Sequence, residues 1–312
     1  MPQSQPLVTS LQSDKIIIGT RGSALAVRQT EIVEAMLSEM GFEFSRKIVK
    51  TSGDVIQDKP LFEFQGFGTF VRELDDVMLR GEIDIAVHSM KDIPTERPRG
   101  LEIAAILPRD SPCDLLVTRD GSRLSELPAG SVIGTSSMRR RCQIMRERKD
   151  LKLEDIRGNI DTRVKKLIRG DYDAILLAEA GFERMGWIDG KFDLGFERLD
   201  PERFVPSANQ GTIAVVAKTQ TSASEIVSKL DDPETRLVTI LERRIIEILG
   251  AGCKVPIGVY AEAEEDSGIT IIAEILTDDG GVLSHIKKTV SRDGAISAAE
   301  KIGNELKSVW RG

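Results

Sequence analysis

Residues 132–145, VIGTSSMRRRCQIM, decide the fold, because they run from strand through a small polar turn into a helix. Val132 and Ile133 are a β-branched pair of the kind that fills a buried strand. Gly134, Thr135, Ser136 and Ser137 make the turn, and Met138, Cys142 and Met145 then recur at helical spacing. Working outward, the same pattern repeats. Ile16, Ile17 and Ile18 lead through Thr20-Arg21-Gly22-Ser23 to a helix with Val33, Met36, Leu37 and Met40 on one face, closed at Gly41. Ile48 and Val49 form a strand, and Phe70, Val71, Leu74, Val77 and Met78 a helical face. Ile83, Ile85 and Val87 alternate as a strand, 103–107 and 115–117 are further apolar runs, and a helix through Ile160, Val164, Leu167 and Ile168 precedes a strand at 175–177. Strands separated by helices predict α/β layers with largely parallel sheets.

The last ~80 residues change character. A helix over 233–249 precedes three strand-like runs, 257–263, 269–276 and 282–290, with Asp278-Asp279-Gly280-Gly281 as a hairpin turn and a closing helix carrying Ala295, Ala299, Ile302 and Leu306. This order predicts a smaller C-terminal α+β domain. Pro108 and Pro112 interrupt regular structure, and Pro201 and Pro206 suggest a second crossing. The expected organisation is a discontinuous first α/β lobe (1–109 with 208–230), a second α/β lobe (110–207) and the C-terminal domain (231–312), the two lobes enclosing a hinged cleft.

The 312-residue chain has a net charge of −7, yet residues 135–170 hold twelve Lys and Arg against five Asp and Glu. This island of +7 leaves −14 elsewhere. With aromatics at 4%, a positive island in an acidic chain favours a compact, multiply charged anion over a long nucleic acid. No apolar run reaches the ~18 residues of a membrane span. The first residues lack the basic and apolar segments of a secretion signal, so a cytoplasmic protein is expected. Cys113, Cys142 and Cys253 form no CxxC pair, and His88 and His285 are the two histidines, so no metal site is expected.

Three strand-to-helix turns carry arginine. Arg21 and Ser23 stand at the first, Ser137, Arg139, Arg140 and Arg141 at the second, and Arg157, Asn159 and Arg163 at the third. Helix-start N–H groups and planar guanidinium forks both suit carboxylates or phosphates. Each alone reads equally as a helix cap or a solvated basic face; their recurrence in a net-negative chain favours an anion site. Lys91 and Asp92, directly after a strand, place a cation and an acid where cleft residues of α/β proteins lie, and Asp92 could steady a positive charge or carry protons. His88 is given no role. The loop Gly250-Ala251-Gly252-Cys253-Lys254 exposes a thiol beside a lysine, and spacing does not choose between covalent catalysis, a covalent anchor and neither. A hinged polycarboxylate binder would explain the arginines, but not that loop or the third domain.

Taken in order, IGTRGSALA (18–26), TSGDVIQD (51–58), DIAVHSMKDIPT (84–95), GTSSMRRRCQ (134–143), IRGNIDTR (156–163), YDAILLAEAGFERMG (172–186), NQGTIAV (209–215) and GCKVPIG (252–258) resemble the porphobilinogen deaminase family, or hydroxymethylbilane synthases. The resemblance implies two lobes similar to periplasmic-binding-protein folds plus a third domain. It implies an enzyme of the tetrapyrrole pathway that joins four porphobilinogen molecules head to tail, releasing four ammonia. The chain would grow on a dipyrromethane cofactor held by thioether to Cys253. By the same match Asp92 is the catalytic carboxylate. Lys91, Asp92, Ser137, Arg139 and Arg140 would hold the cofactor, and Arg21, Ser23, Arg157, Arg163 and Arg184 the substrate and growing chain. A cytoplasmic monomer, binding neither nucleic acid nor membrane and passing its product to uroporphyrinogen-III synthase, completes the expectation. Three positions depart from the family pattern: Phe67 stands where Lys is usual, Asn209 where Gly is, and Gly250 where Glu is.

Overall fold

The computed structural model describes residues 15–50, 69–188, 190, 192–250, 255–264 and 268–310. The segment TSGDVIQD, Phe67 and Cys253 lie outside the described residues.

The first sheet has the order β2-β1-β3-β10-β4, from β1 (Ile16–Arg21), β2 (Phe44–Val49), β3 (Ile85–Ser89), β4 (Leu101–Ile106) and β10 (Ile213–Lys218). Helix α1 (Ala24–Glu39) and the short α6 (Ser222–Val227) cover one face, and α2 (Thr69–Leu79) covers the other. Strand β10 shows why both faces must be covered. Ile213, Val215 and Ala217 join one core, while Ala214 and Val216 join the opposite one, so its apolar run does not alternate.

The second sheet, β7-β6-β8-β5-β9, is built from β5 (Asp114–Thr118), β6 (Val132–Gly134), β7 (Lys152–Glu154), β8 (Ala174–Ala178) and β9 (Gly195–Arg198). It carries α3 (Met138–Glu147), α4 (Ile160–Arg169) and α5 (Glu179–Arg184). Both sheets are mixed rather than largely parallel. In the first, β10 runs antiparallel to β3 and β4; in the second, β5 runs antiparallel to β8 and β9. The cause is the double crossing. The chain leaves the first sheet after β4 to begin the second with β5, then returns after β9 to insert β10, each arriving against the local strand direction.

Strands β11 (Ile257–Ala263), β12 (Gly268–Leu276) and β13 (Val282–Ser291) form an antiparallel meander. One face packs on α7 (Pro233–Leu249) and α8 (Ala295–Val309) through Val238, Leu241, Ile245, Ala299 and Ile302. The hairpin turn forms as its sequence predicts, with Thr277 N–H donating to Gly281 O at 2.7 Å. Among the described residues no helix is long and apolar enough to cross a membrane.

Candidate active site

Strand β3 of the first sheet and strand β8 of the second end on one crevice between the lobes. Ligands of open α/β sheets settle at such carboxyl ends. Arg21 ends β1, Ser89 ends β3, Gly134 ends β6 and Ala178 ends β8. The crevice is narrow, with a cavity of about 40 Å³ between Ser89 and Lys91 on one side, Ala178 and Arg184 on the other, and Asn209, Gly211 and Thr212 of the return crossing. The two crossings touch: Asp110 N–H donates to Gly211 O at 3.2 Å, and a Cβ on Gly211 (φ +89°) would stand 2.5 Å from Asp110 O. Only glycine fits that approach.

Beneath the crevice lies a buried hub that sequence reasoning missed. Asp114, 1% exposed, accepts from Arg139 Nη1 at 2.6 Å, Arg140 Nη2 at 2.8 Å and Gln210 Nε2 at 2.8 Å. Despite burial, the two guanidiniums and the Gln210 amide hold its carboxyl well below the usual range. Arg139 also donates to Val205 O at 3.0 Å, and Arg140 to Leu176 O at 2.9 Å. The buried face of α3 thus carries Arg139, Arg140 and Gln143 beside Cys142 and Ile144, not an apolar stripe. These two arginines are neither solvated nor free forks. One signal was available: Asp114 opens a strand in which every residue is buried, where an acid requires a partner. Removing it would strand two buried cations, so Asp114→Ala is expected to lose ~3–5 kcal/mol in stability. Denaturant unfolding measures this, and an unchanged midpoint would mean that the guanidiniums have other sufficient partners.

Arg163 sits half-buried above the hub, with Nε donating to Gly158 O at 2.8 Å. Burial, with repulsion from Arg140 and Arg157, pulls its guanidinium down to about 10. Ser137 and Ser23 cap α3 and α1 by accepting from Arg140 N and Ala26 N, whereas Asn159, at the start of α4, makes no side-chain cap bond. Arg184 is turned to the hinge, donating to Asp110 at 2.7 Å and to Gly211 O at 2.6 Å.

Lys91 and Asp92 lie on the 3₁₀ turn Met90–Asp92 that ends β3. Buried Met90 and Ile93 bracket it, and Met90 N–H donates to Thr212 O at 2.9 Å. Asp92 is open to solvent, yet the crowding of protein around the cleft pushes its carboxyl up, opposed by Lys91 and Arg21. Burial brings Lys91 down to about 8, helped by Arg140 and opposed by Asp92 and Asp114. His88, buried in β3, falls to about 3 through burial, Arg97 and Arg21, and stays neutral at any working pH.

A second missed carboxylate joins the hinge to the C-terminal domain. Glu242 on α7 is fully buried and accepts from Arg109 Nη1 at 2.7 Å, from the main chain of Ala261 at 2.8 Å and from both N–H groups of Asn209. It lies on the core-facing stripe with Val238, Ile245 and Leu249, which is the sequence signal for it. Asn209 has φ +62°, so the usual Gly is replaced by one of the few residues with a β-carbon that tolerate this conformation. Its Nδ2 adds a bond to Thr239 O at 3.1 Å.

Fold and site define a hinged two-lobe α/β protein that concentrates guanidinium charge beside an accessible carboxylate, with a third domain locked to its hinge. Residues 16–225 match the family profile described as porphobilinogen deaminase, dipyromethane cofactor binding domain, and residues 237–309 match its C-terminal domain. The probable porphobilinogen deaminase of Methanococcoides burtonii is 55% identical over 266 residues, covering 85% of this chain and 84% of that one. The porphobilinogen deaminase of Syntrophobacter fumaroxidans is 40% identical over 298 residues, 94% of each chain. Among solved structures, the periplasmic VFT2 domain of Bordetella pertussis BvgS aligns with a TM-score of 0.42 and 14% identity, covering 69% of this chain and 86% of that one. The chain belongs to the porphobilinogen deaminase family, transferases of tetrapyrrole biosynthesis with a dipyrromethane cofactor.

Proposed function

We propose that the inter-lobe cleft is where four porphobilinogen molecules are joined into hydroxymethylbilane, with Asp92 as the catalytic residue. The observation that carries this is the crowding of cations in the cleft: half-buried Arg163 faces Arg140 and Arg157, whose repulsion adds to burial in pulling its guanidinium down. A site of that kind fits a ligand bearing two carboxylates on every pyrrole ring.

The dipyrromethane group fits this donor set, and when bound through Cys253 it supplies the pyrrole carbon from which the chain extends. Lys91, Ser137 and Asp92 are assigned to hold it, with Arg139 and Arg140, bound to Asp114, adding positive charge from beneath; Arg21, Ser23, Arg157, Arg163 and Arg184 are assigned to substrate and growing chain. Guanidinium remains charged throughout the working pH range, so the arginines bind carboxylates without taking part in proton transfer. As the carbon–nitrogen bond of porphobilinogen breaks and ammonia departs, positive charge spreads over the pyrrole. Asp92 faces that charge in a crowded cleft, where an aligned anion lowers the barrier more than water would. The proton lost when the new carbon–carbon bond restores the ring can pass to the same carboxylate. The hinge gives room for elongation.

The lobe and domain limits are proposed as 1–109 with 208–230, 110–207 and 231–312; the passages from β4 to β5 and from β9 to β10 support them. A cytoplasmic monomer whose linear product goes to uroporphyrinogen-III synthase is the accompanying proposal, since a linear bilane needs a ring-closing partner. Incubated with porphobilinogen, the chain is expected to release one ammonia per molecule consumed. Tight binding without consumption would leave only the hinged polycarboxylate binder.

A further inference from the structure

Gln210 lies on the return crossing and is 1% exposed. Its Nε2 has acceptors on one side: Pro112 O at 2.8 Å, Cys113 O at 3.2 Å and Asp114 Oδ1 at 2.8 Å. Rotating the amide would set its oxygen against three acceptors, so the orientation is fixed and Oε1 faces Lys91, whose Nζ donates to it at 3.2 Å. The main chain is equally constrained. Arg109 Nε donates to Gln210 O at 2.9 Å, and neighbouring Asn209 is bound to Glu242 on α7. The amide arm therefore starts from the hinge, grips the second lobe with its nitrogen and reaches the first lobe with its oxygen.

We propose that Gln210 is a positioning residue: it ties Lys91 to the Asp114 hub across the cleft and so holds the ammonium beside Asp92 with a neutral partner. A carboxylate here would face Asp114 and would also close an ion pair with Lys91, removing positive charge from the ligand's side. An amide leaves the ammonium charged and directed. Asp92, Asp114, Arg139 and Arg140 are the charged groups that act on it. The inference rests on the assignment of the cleft as the polymerisation site.

The test uses the full chain and two variants. Gln210→Met keeps the length without the amide, and Gln210→Asn keeps an amide too short to span. Lys91 is acetylated with acetic anhydride across a pH series in native and variant proteins handled alike, and read by peptide mass. Loss of a hydrogen bond to a charged group is expected to move the labelling midpoint by about one pH unit toward acid. A misplaced ammonium is expected to lower kcat for porphobilinogen about 10- to 100-fold with KM within about threefold. Should Gln210→Met fail to fold, Gln210→Asn carries both measurements. An unshifted midpoint overturns the inference whatever the native activity. A shifted midpoint with native kcat also overturns it, because the contact would then be structural. A native chain that labels as expected but consumes no porphobilinogen overturns the assignment of the cleft, not the contact.

Discussion

Cys253→Ser is expected to yield a chain whose denatured mass matches its sequence and which consumes no porphobilinogen, whereas the native chain carries two additional pyrrole units. The described residues that flank positions 251–254 are firmly placed. Helix α7 closes at Gly250, whose φ of +66° lets its N–H reach both Ile246 O and Glu247 O at 3.1 Å. That conformation strains a β-carbon, so Gly where Glu is usual fits a left-handed cap at no cost. Downstream, Leu276 N–H donates to Pro256 O at 3.1 Å, and a Cβ on Gly258 would stand 2.5 Å from Val205 O of the return crossing. Strand β11 thus abuts the hinge. A thioether needs a sulfur nucleophile, since a serine hydroxyl is a far weaker one at neutral pH. Without the tether each coupling becomes an encounter between separate molecules, and the advantage of an intramolecular reaction, several kcal/mol, is forfeited. Intact-mass measurement after production in a host that makes porphobilinogen decides the point. An adduct persisting in the serine variant would move the anchor to another residue.

Legibility in the sequence followed the range of each interaction. Strand cores such as Ile16-Ile17-Ile18 and the α7 stripe were readable because burial imposes a period on neighbouring residues. Strand β10 overlaps the motif NQGTIAV but has no strand signature of its own in the sequence analysis; its insertion between β3 and β4 depends on partners more than a hundred residues earlier in the chain. The short β7 and β9 and helices α5 and α6 are illegible for a different reason: at three to six residues, each is too short to show a period. In the site, a positive field was legible from composition, but its division of labour was not. Arg139 and Arg140 look like free forks until Asp114 is found between them, and nothing in the spacing of 114, 139, 140 and 210 shows that they meet. The departure at Asn209 acquires its reason only from a backbone angle.

Asp92→Asn is expected to preserve the fold and ligand binding while lowering ammonia release by roughly 10³-fold or more, the combined size of a lost electrostatic partner and proton carrier. The exchange is nearly isosteric, so the turn is not disturbed: Ile93 N–H still donates to Met90 O at 3.1 Å, and Arg243 of α7 still donates to Ile93 O at 3.0 Å and Pro94 O at 2.7 Å. What disappears is charge. The crowding of protein around the cleft lifts the native carboxyl above its ordinary value, with Lys91 and Arg21 pulling the other way. The ionised form is therefore lost on acidification at a higher pH than for a free aspartate, and activity should fall there with the carboxylate. Above that range the native rate should plateau until Lys91, brought down to about 8, begins to deprotonate. In the asparagine variant the acidic limb should vanish while the alkaline one persists but moves to lower pH, because Gln210 and the hub still hold Lys91 and the Asp92 charge that favoured its ammonium is gone. Single-turnover ammonia release across pH, alongside affinity for porphobilinogen, separates the two functions. Turnover close to native in the variant would remove Asp92 from the reaction; weakened binding with a proportionate loss of rate would make it a ligand-holding group instead.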